Sequence, residues 1–225
     1  MISVSEPRRR SQRKFYIPRL DAHGINSSEA VGWPLYVQER LFRSLVKLLG
    51  DAGKDHECSL LDIGCGLGDL YNYLLENGYT RVHYTGIDIL PEMVRSAREK
   101  NPGISFHTAD FLNVKFKRRF DFTLCSGSMN IITRNPGHEK LVKAWIRKMY
   151  SICRYGSAFN LLASSGREYL SEDESLYYAD PGEIMSLCRE FCPGAECDFS
   201  DFAYTFTVFC PRAGSGRTGT DAFNL

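Results

Sequence analysis

Residues 60–70 read LLDIGCGLGDL, and the fold turns on how this stretch is interpreted. An apolar pair leads into an acid, Asp62, and glycines then fall at 64, 66 and 68. Short apolar runs bounded by charge and glycine are buried strands, so CSLLDI (58–63) predicts a strand that enters a glycine turn and then a helix. Gly64 and Gly66 let the chain turn tightly and let a ligand approach the backbone, while Gly68 permits close packing at the helix start. A dinucleotide fingerprint, GxGxxG, would carry its third glycine or alanine at position 69. Asp69 stands there instead, a carboxylate at the helix N-terminus where a pyrophosphate would have to sit. Like charges would meet, so nicotinamide and flavin dinucleotides are disfavoured. Asp62 argues the same way, since an acid ahead of the glycines suits a ligand with a cationic amino group.

The same alternation extends to both sides. Pro34 opens an amphipathic helix striped by Val37, Leu41, Leu45 and Leu48 and expected to end near Gly50. A helix through Leu70, Tyr73 and Leu74 stops at Asn77-Gly78, and RVHYTGI (81–87) is the next strand. Pro91 starts a helix that ends at Asn101-Pro102. ISFHTA (104–109) and FDFTLCS (120–126) are strands, and Asn135-Pro136 caps a helix striped by Leu141, Trp145, Met149 and Ile152. SAFNLLA (157–163) is the fifth strand. Asp180-Pro181-Gly182-Glu183 is a capping signal for a last helix that ends before Pro193. AECDFS and FAYTFTVF close the chain as two strands around a short turn at Asp201. Such an order predicts an α/β, doubly wound, mostly parallel sheet with helices on both faces and one antiparallel strand.

The 225 residues, 43% hydrophobic and 24% charged, suffice for one such domain. No apolar run approaches the ~18 residues of a membrane span, and MISVSEPRRRSQRKF lacks the apolar centre of an export signal. A cytoplasmic protein without membrane association is expected. The eight cysteines are scattered, and Cys188, Cys192 and Cys197 lack a fourth ligand at zinc spacing, so no metal is expected. Net charge is +1 but uneven: Arg8, Arg9, Arg10, Arg13, Lys14 and Arg19 face only Glu6 within the first twenty residues. This basic arm is read as a solvated, partly disordered terminus, with nucleic acid or an acidic partner as the alternative. The organisation expected is a basic arm and lid (1–34), one domain (35–210) and a loose Gly/Ser/Thr-rich tail (211–225).

Ligands of doubly wound sheets sit at the carboxyl ends of the strands. Asp88 ends the second strand, 22 residues after Gly66, where a carboxylate takes both hydroxyls of a ribose. Asp110 ends the third, placed to accept an adenine amino group, with the Phe111 amide within reach of a ring nitrogen. Acids at three successive strand ends over one glycine turn converge on an adenosyl ligand that carries an amino group.

LLDIGCGLGDL, GIDIL (86–90), ADF (109–111) and FDFTLCSGSMN (120–130) together resemble the class I S-adenosylmethionine-dependent methyltransferases, in order and spacing from Leu35 to Phe209. The resemblance is to small, bacterial-type members. It implies a seven-stranded sheet of order 3-2-1-4-5-7-6 with the last strand antiparallel, S-adenosylmethionine as cofactor and S-adenosylhomocysteine as product. It also implies site residues. Asp62 and the backbone of Gly64, Cys65 and Gly66 would hold the methionine portion, and Asp88 the ribose. Ile89 and Met93 would flank the adenine, Asp110 and Phe111 would read its edge, and the Cys125–Ser126 backbone would lie beneath the sulfonium end.

SGSMN (126–130) replaces the Asn/Asp-Pro-Pro-Tyr of enzymes that methylate exocyclic or amide nitrogens, so DNA adenine and glutamine amide are disfavoured. A small-molecule acceptor methylated on O, N or S is the leading expectation. RNA or protein methylation guided by the basic arm, or a regulatory module that binds without transfer, are the alternatives. The acceptor pocket is sought in FYIPRLDAHGINSSEAVGW (15–33) and SSGREYLSEDESLYYAD (164–180), the latter holding Tyr169, Tyr177 and Tyr178. Tyr16, His23, His138 and Tyr177 are the acid/base candidates, with Asn130 as an orienting group. His107 and Cys125 are read as core residues, and a monomer or homodimer is expected.

Overall fold

Residues 5–132, 137–167, 175–199, 202 and 204–212 are described by the computed structural model. The elements run α1 (Ser5–His23), α2 (Leu35–Val46), β1 (Cys58–Ile63), α3 (Asp69–Glu76), β2 (Val82–Asp88), α4 (Pro91–Lys100), β3 (Ser105–Thr108), β4 (Phe120–Ser126), α5 (His138–Ile152), β5 (Cys153–Ala163), β6 (Tyr178–Ala179), α6 (Pro181–Arg189), β7 (Glu196–Asp198) and β8 (Thr205–Pro211). The sheet order is β3-β2-β1-β4-β5-β8-β7, with the two-residue β6 pairing separately with β5. Apart from β6, this is the order expected. Strand β8 lies antiparallel between β5 and β7, and the other pairings are parallel. Strand β1 pairs with β2 on one side and β4 on the other, so the chain reverses its direction of travel at β1 and leaves a crevice at its carboxyl end.

Successive side chains on a strand face opposite sides, and both sides are used here. Leu60, Leu124 and Ala158 pack with Phe42 and Leu45 of α2, Leu70 and Leu74 of α3, and Val94 and Ala97 of α4. Leu61, Ile63, Cys125 and Phe159 pack with Val142, Trp145 and Met149 of α5 and Ile184 and Leu187 of α6. This double burial explains the nearly continuous apolar runs of β1, β4 and β5. Each fully buried Leu, Ile or Phe contributes roughly 1.5–3 kcal/mol relative to exposure. At α6 the Asp180 Oδ1 accepts the Glu183 amide at 2.9 Å, the cap that the sequence signals.

Three readings are corrected. The basic arm is not a solvated terminus: Ser5–His23 is helical, and Arg8 is 2% exposed. His107 is not in the core. Strand β3 is the sheet edge, so while Phe106 packs inward, His107 faces solvent with its Nε2 2.9 Å from Ser105 Oγ. Strand β5 begins at Cys153 rather than 157, because the last residue of α5 passes directly into extended backbone. At the other end β8 runs to Pro211, and the Arg212 amide bonds the Tyr155 carbonyl at 2.8 Å. The Asn135-Pro136 cap, the Asp201 turn and the tail from 213 lie outside the described residues. Among those described, no helix is long and apolar enough to cross a membrane.

Candidate functional site

The carboxyl ends of β1, β2 and β4 open on a cavity that encloses about 850 Å³ of atom-free space, its mouth included. Its floor is the glycine turn. The amides of Gly64 and Cys65 both donate to the Ile87 carbonyl, at 2.8 and 3.0 Å, which pins the turn to the end of β2. Gly64 has φ +74°, and a Cβ there would lie 1.8 Å from Ser128 Oγ, which itself donates to the Gly64 carbonyl at 3.1 Å. Only glycine fits that position.

A buried acid and a half-buried one flank the turn. Asp62 is 2% exposed and accepts the Tyr84 hydroxyl at 2.5 Å. Burial pushes its carboxyl up to about 7; the Tyr84 bond opposes that rise, while the charges of Asp88 and Asp69 add to it. Asp88 accepts the Gly66 amide at 3.1 Å and the Leu90 amide at 2.8 Å. Burial raises its pKa, against those amides and the charge of Arg8. A cation entering here would relieve both acids. Asp69 is committed to Lys100 and to Gln38 Nε2 at 3.2 Å.

Helix α1 roofs the cavity. Arg8, Gln12 and Tyr16, four residues apart on one helix face, all line it. Gln12 Nε2 donates to the Ser128 carbonyl at 3.3 Å. Arg8 pairs with Asp110, and its guanidinium lies 5.2 Å from the Trp145 ring centroid. Its Nε and Nη1 have no partner among the described residues. Burial pulls its pKa down to about 10, opposed by Asp88. Phe111 stacks on Trp145 at 5.7 Å and 28°.

Nine of the residues expected at a ligand line this cavity: Asp62, Gly64, Cys65, Gly66, Asp88, Ile89, Met93, Phe111 and Ser126. Asp110 and Cys125 do not. The Asp110 carboxylate is taken up by Arg8, by the Leu112 amide at 3.1 Å and by Asn113 Nδ2 at 2.8 Å. The Cys125 side chain points into the core on the α5 side of the sheet.

A second cavity, about 650 Å³ with its mouth, shares Tyr16, Val31 and Trp33 with the first. Phe15, Arg19, Asn130, Ile131, Leu162 and Leu176 complete its wall with Gly32 and Gly127. Arg19 lies over the Phe15 ring, 3.7 Å from its centroid, and Nη1 donates to the Phe15 carbonyl at 2.7 Å. Asn130 is buried, and its Oδ1 accepts the Leu162 amide at 3.1 Å.

Of the acid/base candidates only Tyr16 reaches a cavity among the described residues, together with the orienting group Asn130. Burial, then the nearby Asp88, holds the Tyr16 hydroxyl well above its ordinary pKa. His23 sits on the surface, 2.9 Å from Glu29. His138 is buried with Nε2 3.0 Å from the Met129 carbonyl and its ring 4.6 Å from that of Tyr177, and neither lines either cavity. Burial lowers the His138 pKa and pushes Tyr177 up to about 12. Tyr169 lies outside the described residues. Arg8, Gln12 and Trp145 are not among the residues expected at the site, whereas Arg19 and Trp33 fall within 15–33, one of the two stretches in which the acceptor pocket is sought. The signal available for α1 was the four-residue spacing of 8, 12 and 16, and of 15 and 19.

Residues 60–154 match the methyltransferase-domain family. Rv1506c of Mycobacterium tuberculosis (strain ATCC 25618 / H37Rv), which carries the name of a methyltransferase, is 33% identical over 159 residues, 69% of this chain and 93% of that protein. The malonyl-[acyl-carrier protein] O-methyltransferase of Acetivibrio thermocellus is 27% identical over 172 residues, 71% of this chain and 60% of that one. The magnesium protoporphyrin IX methyltransferase of Synechocystis PCC 6803, solved with bound S-adenosylmethionine, has the same fold. Its TM-score is 0.64 at 17% identity, over 95% of this chain and 100% of that one. With the sheet order and the glycine turn, these similarities identify the chain: it belongs to the class I S-adenosylmethionine-dependent methyltransferases.

Proposed function

We propose that the protein moves a methyl group from S-adenosylmethionine, held in the first cavity, to a small molecule held in the second. The observation that carries this reading is the buried carboxylate of Asp62 beside an open glycine turn at the point where the sheet reverses. The residues present fit the cofactor. Asp62 has no cationic partner among the described residues, and an α-amino group would supply one. Asp88 keeps acceptor capacity after its two amide bonds, enough for ribose hydroxyls. Ile89, Met93 and Phe111 offer apolar surface to a base.

When bound, the cofactor supplies a methyl group already activated by sulfonium. The protein's task is then alignment and exclusion of water. Tyr16 and Trp33 serve both, since they stand on the wall that the two cavities share. Reading the adenine edge with Asp110 requires Arg8 to withdraw. In this reading 1–34 acts as a lid on a domain spanning 35–210, and the protein works in the cytoplasm.

A small acceptor suits the walls of the second cavity, which are mostly aromatic and aliphatic. Two cations of the arm are already paired, Arg8 with Asp110 and Arg13 with Glu92, which reduces the basic face that nucleic acid would need. Two similar proteins are named for a porphyrin and for a malonyl group on its carrier protein.

Calorimetric titration with S-adenosylhomocysteine tests the first half, with one site per chain as the expected result. Uptake of a pyridine dinucleotide with no response to S-adenosylhomocysteine would overturn it. Release of S-adenosylhomocysteine against a metabolite panel tests the second half. Turnover on RNA alone, or on nothing, would overturn that.

A further inference from the structure

We infer that the acceptor is a largely apolar acid, methylated on an oxygen that is already ionised at neutral pH, either a carboxylate or an acidic phenol. The inference rests on the reading above and adds the chemical class of the acceptor. It comes from the polar groups of the second cavity, all of which can donate. Arg19 has five N–H donors and uses one on the Phe15 carbonyl, and it has no carboxylate partner among the described residues. Asn130 is fixed in orientation by the Leu162 amide on its Oδ1, which leaves Nδ2 to donate, with no partner among the described residues. The Trp33 indole can only donate. No Asp, Glu or His lines this cavity among the described residues.

Two consequences follow. A cationic acceptor such as an alkylammonium would meet Arg19 with nothing to offset the repulsion and no base to remove its proton. A neutral alcohol would likewise find no base, because the Tyr16 hydroxyl is held in its protonated form by burial. An oxyanion needs no base. It would accept from Arg19 and Asn130 while its ring or chain lies along Phe15, Trp33 and Leu162. The step balances without a proton: an oxygen lone pair forms the bond to the methyl carbon as the carbon–sulfur bond breaks. That bond's electron pair passes to sulfur, and the negative and positive charges disappear together. The Tyr16–Trp33 wall is where the two cavities meet and where that line of attack would pass.

The test uses the whole 225-residue chain and two probes of similar size and opposite charge, 2-naphthoate and 2-naphthylmethylamine, titrated calorimetrically with S-adenosylhomocysteine at saturation. Naphthoate is expected to bind about tenfold or more tighter than the amine, the value of one hydrogen bond to a charged group. Arg19→Gln is expected to lose about that factor for naphthoate while binding S-adenosylhomocysteine as the parent does, which also shows that the variant folds. Asn130→Asp keeps the acceptor for the Leu162 amide but adds a negative charge, and is expected to weaken naphthoate independently. Equal or tighter binding of the amine, or naphthoate affinity indifferent to both substitutions, overturns the inference. If S-adenosylhomocysteine itself fails to bind, the donor reading falls. The naphthoate-to-amine ratio, measured without it, still decides the chemistry of the second cavity.

Discussion

If Asp62 receives the α-amino group of the cofactor, binding must be linked to a proton. With its carboxyl near pH 7, Asp62 is about nine-tenths ionised at pH 8 and about one-tenth at pH 6. A ligand ammonium requires the ionised form, so affinity for S-adenosylhomocysteine should fall about tenfold between pH 8 and pH 6. At pH 7 about half a proton should leave per ligand bound, read as the dependence of calorimetric heat on the ionisation enthalpy of the buffer. The free protein carries the mirror image. The folded state keeps a proton that the unfolded chain releases near the ordinary carboxyl value of 3.8, so this contribution is fully present below that pH and is lost as pH rises through 7. At about 1.4 kcal/mol per pKa unit it amounts to a few kcal/mol as an upper bound. Asp62→Asn, isosteric and without charge, should flatten both profiles, bind weakly at every pH and melt higher than the parent at pH 8. Asp88 is also raised, so the variant is what separates the two acids. A pH-independent affinity in the parent, or an unchanged slope in Asp62→Asn, would refute the reasoning.

Gly64→Ala combines a positive φ, worth about 1–2 kcal/mol, with a collision against Ser128. The variant should lose about 2–3 kcal/mol in urea unfolding and its response to S-adenosylhomocysteine, and a parental midpoint would contradict the geometry. Arg8→Gln breaks a buried ion pair at a cost of about 3 kcal/mol. Because it also clears the end of the cavity beside Asp110, affinity for S-adenosylhomocysteine should rise as the melting temperature falls; a fall in both would show Arg8 to be a ligand-binding group. Phe111→Ala removes a ring that is 2% exposed and stacked on Trp145, and chemical denaturation should register about 3–4 kcal/mol.

The glycine turn and its acids could be read from the chain because their chemistry is local. A positive φ at Gly64 and a carboxylate at the end of a strand are written in adjacent residues. The sheet order followed from the resemblance rather than from periodicity, and a two-residue strand such as β6 is too short for any period to register. Helix α1 was hidden by its own composition. Arginines dominate the arm and suggest solvent, yet Arg8 is buried by a partner, Asp110, a hundred residues away in sequence. His107 was misplaced for a related reason: its exposure follows from β3 standing at the sheet edge, a fact about neighbours. Residue type nominates His138, and residue type with membership of a candidate pocket stretch nominates His23 and Tyr177, but whether such a group meets a cavity depends on how the helices and loops cross it.

The chain contains two tryptophans, and both border the first cavity, Trp145 beneath the Arg8 guanidinium and Trp33 on the partition with the second. Indole fluorescence, excited selectively over the twelve tyrosines, therefore originates entirely at the places where ligands are expected to sit. Trp33→Phe would leave a lamp in the first chamber alone and Trp145→Phe a lamp in the doorway between the two, so a signal seen only in the second variant would mark filling of the second chamber, without a dye.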